Sequence, residues 1–131
     1  MAEQKPLVLV VDDDADIRDA ICDTLQQEGY LTAEAINGIE ALQYLTTQPC
    51  PALVLLDWNM APMSGADFMS ALASAMPLAA RPPVVLLTAD GRVSADDVKA
   101  RDFVAHLKKP VRLELLFAVV EKYIRVHKAD T

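Results

Sequence analysis

Two adjacent carboxylates, Asp12 and Asp13, follow the aliphatic run Leu7-Val8-Leu9-Val10-Val11, and a third, Asp57, follows Ala52-Leu53-Val54-Leu55-Leu56. Thr88 follows Val84-Val85-Leu86-Leu87, and Lys109 stands just beyond Phe103-Val104-Ala105-His106-Leu107. If those runs are strands of one parallel sheet, three carboxylates, a hydroxyl and an ammonium meet at one edge. Folding alone gives no reason for that. At ~4 Å and an effective dielectric of ~20, each like-charge pair repels by about 4 kcal/mol. A divalent cation removes the conflict. All-oxygen donors suit Mg²⁺, or Mn²⁺ as its nearest substitute, and leave positions for water and phosphate oxygens. Such a site can bind a phosphoryl group. The cation and Lys109 would neutralise its equatorial oxygens, Thr88 would donate a hydrogen bond, and one carboxylate would attack phosphorus in line.

The elements that must hold these residues are legible from hydrophobic period. Apolar runs alternate with segments of helical period, the pattern of a parallel sheet covered on both faces. After the first run, Asp14 or Asp16 can cap a helix in which Ile17, Ile21 and Leu25 recur, with Gly29 as its stop. Tyr30 to Ala35 is predicted as the second strand. Asn37-Gly38 opens a helix carrying Ala41, Leu42 and Leu45. Gly65 starts another with Phe68, Leu72 and Met76, closed by Pro77. From Asp90 to Arg101 the chain is polar and weakly periodic, predicting a short helix. After Pro110, Leu113, Leu116, Phe117, Val120 and Ile124 mark the core stripe of the last one. Five βα units make an open, doubly wound α/β sheet, and residues 1–131 are expected to be a single domain with a core of about 6–126.

The ordered set VLVVDDD, LVLLDWNMAPMSG, VVLLTAD and HLKKP resembles the receiver domain of bacterial response regulators in two-component signalling, from roughly Pro6 to Val126. The resemblance implies a flavodoxin-like fold with strand order 2-1-3-4-5. It implies that Asp57 is the phosphoacceptor and that Asp13, Asp57 and the backbone carbonyl of Asn59 hold Mg²⁺, with Asp12 acting through water. It implies that Lys109 and Thr88 serve the phosphoryl group, and that the Lys109–Pro110 bond is cis. Thr88 and His106 would form the switch, while Asn59 and Asp90 would tune the lifetime of the acyl phosphate. Phosphate would come from a sensor histidine kinase, a phosphotransfer protein or a small donor. The protein would then be a signalling switch that catalyses only its own phosphorylation and dephosphorylation, acting on a downstream protein.

The sequence departs from the family pattern in three places. The proline after the acceptor is displaced by one, as Met60-Ala61-Pro62; the switch aromatic is His106; and the stretch between Thr88 and Lys109 is one residue short.

Other readings are weaker on stated grounds. A haloacid-dehalogenase-like phosphatase would use Asp12 and Asp14 as its DxD pair, but Asp16 replaces the expected Thr or Val and Asp57 goes unexplained. A non-phosphorylated interaction module has no need of the whole acidic set. A flavin-binding protein would need a Gly/Ser/Thr-rich phosphate loop after the first strand.

Net charge of −7 and a pI near 4.6 disfavour direct contact with nucleic acid or anionic membranes. Cys22 and Cys50 lack metal-ligand or disulfide spacing, no apolar run is long enough to span a bilayer, and the N-terminus lacks signal-peptide order. A cytoplasmic protein is expected, with output through protein contacts. On the last helix, Val111, Leu115 and Val119 lie roughly opposite the core stripe, a candidate surface for a partner or a second copy of the chain.

Overall fold

The computed structural model describes residues 6–60, 63–89 and 102–129. Five strands, β1 (Leu7–Val11), β2 (Leu31–Ala35), β3 (Leu53–Asp57), β4 (Val84–Thr88) and β5 (Ala105–Lys108), pair in parallel in the order β2-β1-β3-β4-β5. Helices α1 (Ala15–Gln27), α2 (Gly38–Thr47), α3 (Gly65–Ala75) and α4 (Leu113–Ala129), with a short 3₁₀ turn at Leu78–Ala80, cover it. The chain leaves β1 first toward β2 and later returns to β3 on the other side. A crevice therefore opens beyond the C-terminal ends of β1 and β3.

Side chains alternate across the sheet and divide the core in two. Leu9, Val11, Val54, Leu56, Val84 and Leu86 pack with Phe68 and Leu72 on the α2–α3 side. Val8, Val10, Leu53, Leu55, Val85 and Leu87 pack with Leu25, Leu116 and Val120 on the α1–α4 side. With both faces covered, β3 and β4 are buried along their whole length, which is why they read as unbroken apolar runs.

Local chemistry sets the helix ends. The Asp14 carboxylate accepts the N–H groups of Asp16 and Ile17, the Asn37 side chain accepts that of Glu40, and the Ser64 hydroxyl accepts that of Asp67. Gly29, at φ 92°, closes α1: its N–H reaches Gln26 O and that of Tyr30 reaches Leu25 O, the paired bonds of a Schellman stop.

Three expectations need correction. The fifth strand begins at Ala105, and Phe103 instead tucks into the α2–α3 core ahead of it. Leu113, expected in the core stripe of α4, is 53% exposed: at the first position of that helix it lines an open apolar cavity with Ile17, Ile21 and Leu116 and is not packed over. Leu116, Val120 and Ile124 are buried as the stripe requires. Val111 and Val119 pack partly against the core, so of the three candidate surface residues only Leu115, 49% exposed, points mainly outward. The expected short helix between Asp90 and Arg101, and the displaced Pro62, lie outside the described residues.

Candidate functional site

The crevice beyond β1 and β3 is acidic at its floor. Asp12 follows the last residue of β1 and is fully buried; Asp57 is the last residue of β3 and is 3% exposed. Asp13 is exposed at the rim. Carboxylate oxygens of all three lie within 4.8 Å of one another. At that range and an effective dielectric of ~20, each pair of charges repels by about 3 kcal/mol.

One ammonium answers part of that charge. Lys109 Nζ lies 3.0 Å from Asp12 Oδ2 and 3.1 Å from Asp57 Oδ1. The Lys109–Pro110 peptide is cis. The Lys109 N–H also donates to Thr88 O at 2.9 Å, which ties the residue to the end of β4. Burial pushes the Asp57 carboxyl above its ordinary range, against the hydrogen bond from Lys109, and the Asp12 charge adds to the rise. Burial tends to lower the Lys109 ammonium, but its bonds to Asp12 and Asp57 prevail and its pKa is raised.

Backbone groups hold the carboxylates in place. Asp12 Oδ1 accepts the Asp14 N–H at 2.9 Å, and Asp57 Oδ1 accepts the Asn59 N–H at 3.3 Å. Trp58 N–H donates to Leu87 O at 2.8 Å, locking the loop after β3 to β4. The Trp58 ring stands edge-on to Phe103, with centroids 6.3 Å apart, and packs against the α2–α3 core.

The structure therefore brings Asp12, Asp13, Asp57 and Lys109 together, with Asn59 on the adjoining loop. Thr88 closes β4 beside them, 1% exposed. His106, half-buried on edge strand β5, is in register with Leu86, so it shares a sheet face with Thr88 two residues further along β4. Asp90 lies outside the described residues.

Hydrogen bonding in the first turn of α1 adds a residue that sequence reasoning missed. Arg18 Nη1 donates to the Asp12 carbonyl oxygen at 2.8 Å, and its Nε to Glu34 Oε1 at 2.8 Å. The available signal was a lone basic residue in an acidic helix start.

The donor set fits a hard divalent cation. It offers oxygen atoms only, with two of three carboxylates buried and a single lysine against three negative charges. Among the described residues no other group of His, Cys, Asp and Glu comes together in this way, and no helix is long and apolar enough to cross a membrane.

Comparison with known proteins agrees with this geometry. A sequence model of the family described as response regulator receiver domain matches residues 8–121. The chain is 34% identical over 122 residues to the phosphate regulon transcriptional regulatory protein PhoB of Escherichia coli (strain K12), covering 90% of this chain and 51% of that protein. It is 30% identical over 118 residues to sporulation initiation phosphotransferase F of Bacillus subtilis (strain 168), covering 89% of this chain and 92% of that one. A crystal structure of a response regulator receiver protein from Pseudomonas putida superposes with a TM-score of 0.82 at 34% identity, covering 92% of this chain and 99% of that one. The chain thus spans about half the length of the transcriptional regulator that it matches and nearly the whole of the phosphotransferase.

Proposed function

The chain belongs to the response regulator receiver domain family, and from that premise we propose that Asp57 accepts a phosphoryl group and that the rest of the crevice makes the transfer reversible. The observation that carries the reading is the convergence of Asp12, Asp13, Asp57 and Lys109 from three strand ends on one crevice.

Asp13, Asp57 and the Asn59 carbonyl would hold Mg²⁺, with Asp12 acting through water. When bound, the cation supplies charge neutralisation for phosphoryl oxygens and for the carboxylates themselves. A carboxylate oxygen of Asp57 attacks phosphorus in line as the bond to the donor's nitrogen or oxygen breaks, and the leaving group takes the electron pair. Lys109, already 3.1 Å from Asp57, then pairs with the new dianion. Thr88, at the adjoining strand end, donates its hydroxyl to a phosphoryl oxygen. Water later attacks the acyl phosphate, phosphate leaves and the carboxylate is restored. Asn59 and Asp90 are assigned to the timing of that step.

The shared sheet face of Thr88 and His106 supports a switch role for the pair. Drawing Thr88 inward clears space on the face that it shares with His106, and a change there reaches β5 and α4. Phosphate acts only through its different contacts in the two states. The donor is assigned as a sensor histidine kinase, a phosphotransfer protein or a small acyl phosphate. The recipient is assigned as a downstream protein, or a second copy of the chain, meeting the Leu115 side of α4. Residues 1–131 act as one signalling domain in the cytoplasm, as a switch whose only substrate is itself.

Borohydride reduction followed by peptide mapping tests the acceptor. After treatment with acetyl phosphate and Mg²⁺, an acyl phosphate at Asp57 is reduced to an alcohol at that position alone. Reduction at Asp12 or Asp13 instead would overturn the assignment. The phosphatase reading has its own signature: turnover of an added phosphate ester, lost in Asp12→Asn and kept in Asp57→Asn.

A further inference from the structure

α1 carries one basic residue, Arg18, and carries it in the opening turn. A cation there meets the positive end of the helix macrodipole, where acids such as Asp14 and Asp16 are the favoured occupants. Something else must hold it. The side chain is only 14% exposed, and it makes two short bonds, to the Asp12 carbonyl oxygen and to Glu34 on β2. A floppy surface arginine would make neither.

The carbonyl it binds belongs to the peptide that joins Asp12 to Asp13. That peptide is planar, so fixing the direction of its oxygen fixes the direction of the Asp13 N–H and the exit of the Asp13 Cα. The Asp12 residue is gripped elsewhere too: its N–H donates to Ala35 O at 3.2 Å, Oδ1 accepts from Asp14, and Oδ2 accepts from Lys109. Of those contacts only the Asp14 bond bears on Asp13, closing a turn around it; Arg18 fixes the carbonyl at the start of that turn. Asp13 itself is exposed, and among the described residues no side chain bonds its carboxylate. Its aim must come from the backbone.

We infer that Arg18 is the positioning residue of the acidic crevice: by holding the Asp12 carbonyl it aims the Asp13 carboxylate at the bound cation, with Glu34 fixing the guanidinium in turn. The two donors of one planar fork make this possible. A lysine at the same place can reach the carbonyl or the carboxylate, but not both in the same geometry. The guanidinium also places a positive charge behind a crowded acidic pair without occupying the ligand positions. The inference rests on the reading of Asp12, Asp13 and Asp57 as a divalent cation site.

Titration with Mg²⁺ alone, followed by amide NMR shifts of residues 12–14 and 57–59, tests it without any phosphate donor. The proteins compared are wild type, Arg18→Ala, Arg18→Lys and Glu34→Gln, each with a thermal melt in EDTA. Arg18→Ala is expected to weaken Mg²⁺ about tenfold, the scale of losing an outer-sphere support, with Arg18→Lys in between. Glu34→Gln keeps an acceptor for Nε and should stay close to wild type. Arg18→Ala and Arg18→Lys binding Mg²⁺ as tightly as wild type would overturn the inference while leaving the metal site intact. A wild type that shows no saturable shifts would sink the site reading itself, and the inference with it. If Arg18→Ala fails to fold, Arg18→Lys decides: weaker binding with a native-like melt supports the role, and wild-type affinity refutes it.

Discussion

Lys109 Nζ stands 3.1 Å from Asp57 Oδ1, although β4 lies between the strands that bring them to the crevice. The lysine reaches past Thr88 to β3, and the same nitrogen meets Asp12 from β1. One cation thus cross-links the ends of three strands. A phosphoryl group on Asp57, as proposed, would break or reshape that link, so chemistry at one carboxylate would be felt at the ends of β1 and β5 as well.

Removing that cation should be costly without metal. Lys109→Met leaves Asp12 and Asp57 buried against each other, and breaking a buried pair from one side costs about 3 kcal/mol. Urea unfolding in EDTA should show a loss of that order, partly recovered by Mg²⁺. Equal stability of variant and wild type in EDTA would contradict the role of Lys109 as counter-charge.

Asp57 itself should be a liability to the apo fold near neutral pH. Its raised pKa means that the fold favours the protonated form. The group's stabilising contribution is therefore full below the unfolded value of about 4 and is lost as pH rises through the folded one. Asp57→Asn stays neutral, so in EDTA it should be more stable than wild type at pH 7, with the gap closing as pH falls toward about 4. A gap that does not vary with pH would refute this.

Gly65 is constrained by a neighbour. A Cβ there would sit 3.1 Å from Trp58 Cε3 and 3.2 Å from Trp58 Cα, and the backbone atom cannot step aside. Gly65→Ala should cost about 1–2 kcal/mol by overpacking and should shift Trp58 emission as the ring moves against Phe103. At Gly38 the corresponding contact is Met63 Sδ at 2.9 Å, the flexible end of a side chain. Gly38→Ala should therefore be milder.

The two thiols should react very differently. Burial pushes Cys22 up to about 11, helped by Glu34, and the residue is 3% exposed. Cys50 is exposed, and burial raises its thiol by less. Alkylation at pH 8 should modify Cys50 first and reach Cys22 only on unfolding. Equal rates in the folded protein would contradict the packing of α1 on the sheet.

Much of this site was legible in the sequence, because a parallel sheet forces strand ends to one edge. Once the runs ending at Val11, Leu56 and Leu87 read as strands, the meeting of Asp12, Asp57 and Thr88 followed from topology. The stop at Gly29 was readable too, and the cap was narrowed to Asp14 or Asp16, since each depends on chemistry within a few residues. Contacts between distant side chains were not. Nothing in the spacing of Arg18 and Glu34 announces their bond, and the grip of Lys109 on Asp12 as well as Asp57 depends on its reach across β4. Leu113 shows the limit of helical period: the period placed it on the core face, but it gave no hint that an open cavity would leave the first residue of α4 half exposed there.

Intact mass after incubation with acetyl phosphate tests the acceptor claim most directly. With Mg²⁺ present, wild type should gain the mass of a single phosphoryl group, and it should gain none in EDTA or as Asp57→Asn. A wild type that stays unmodified with Mg²⁺, or an Asp57→Asn variant modified to the same extent, would contradict the account.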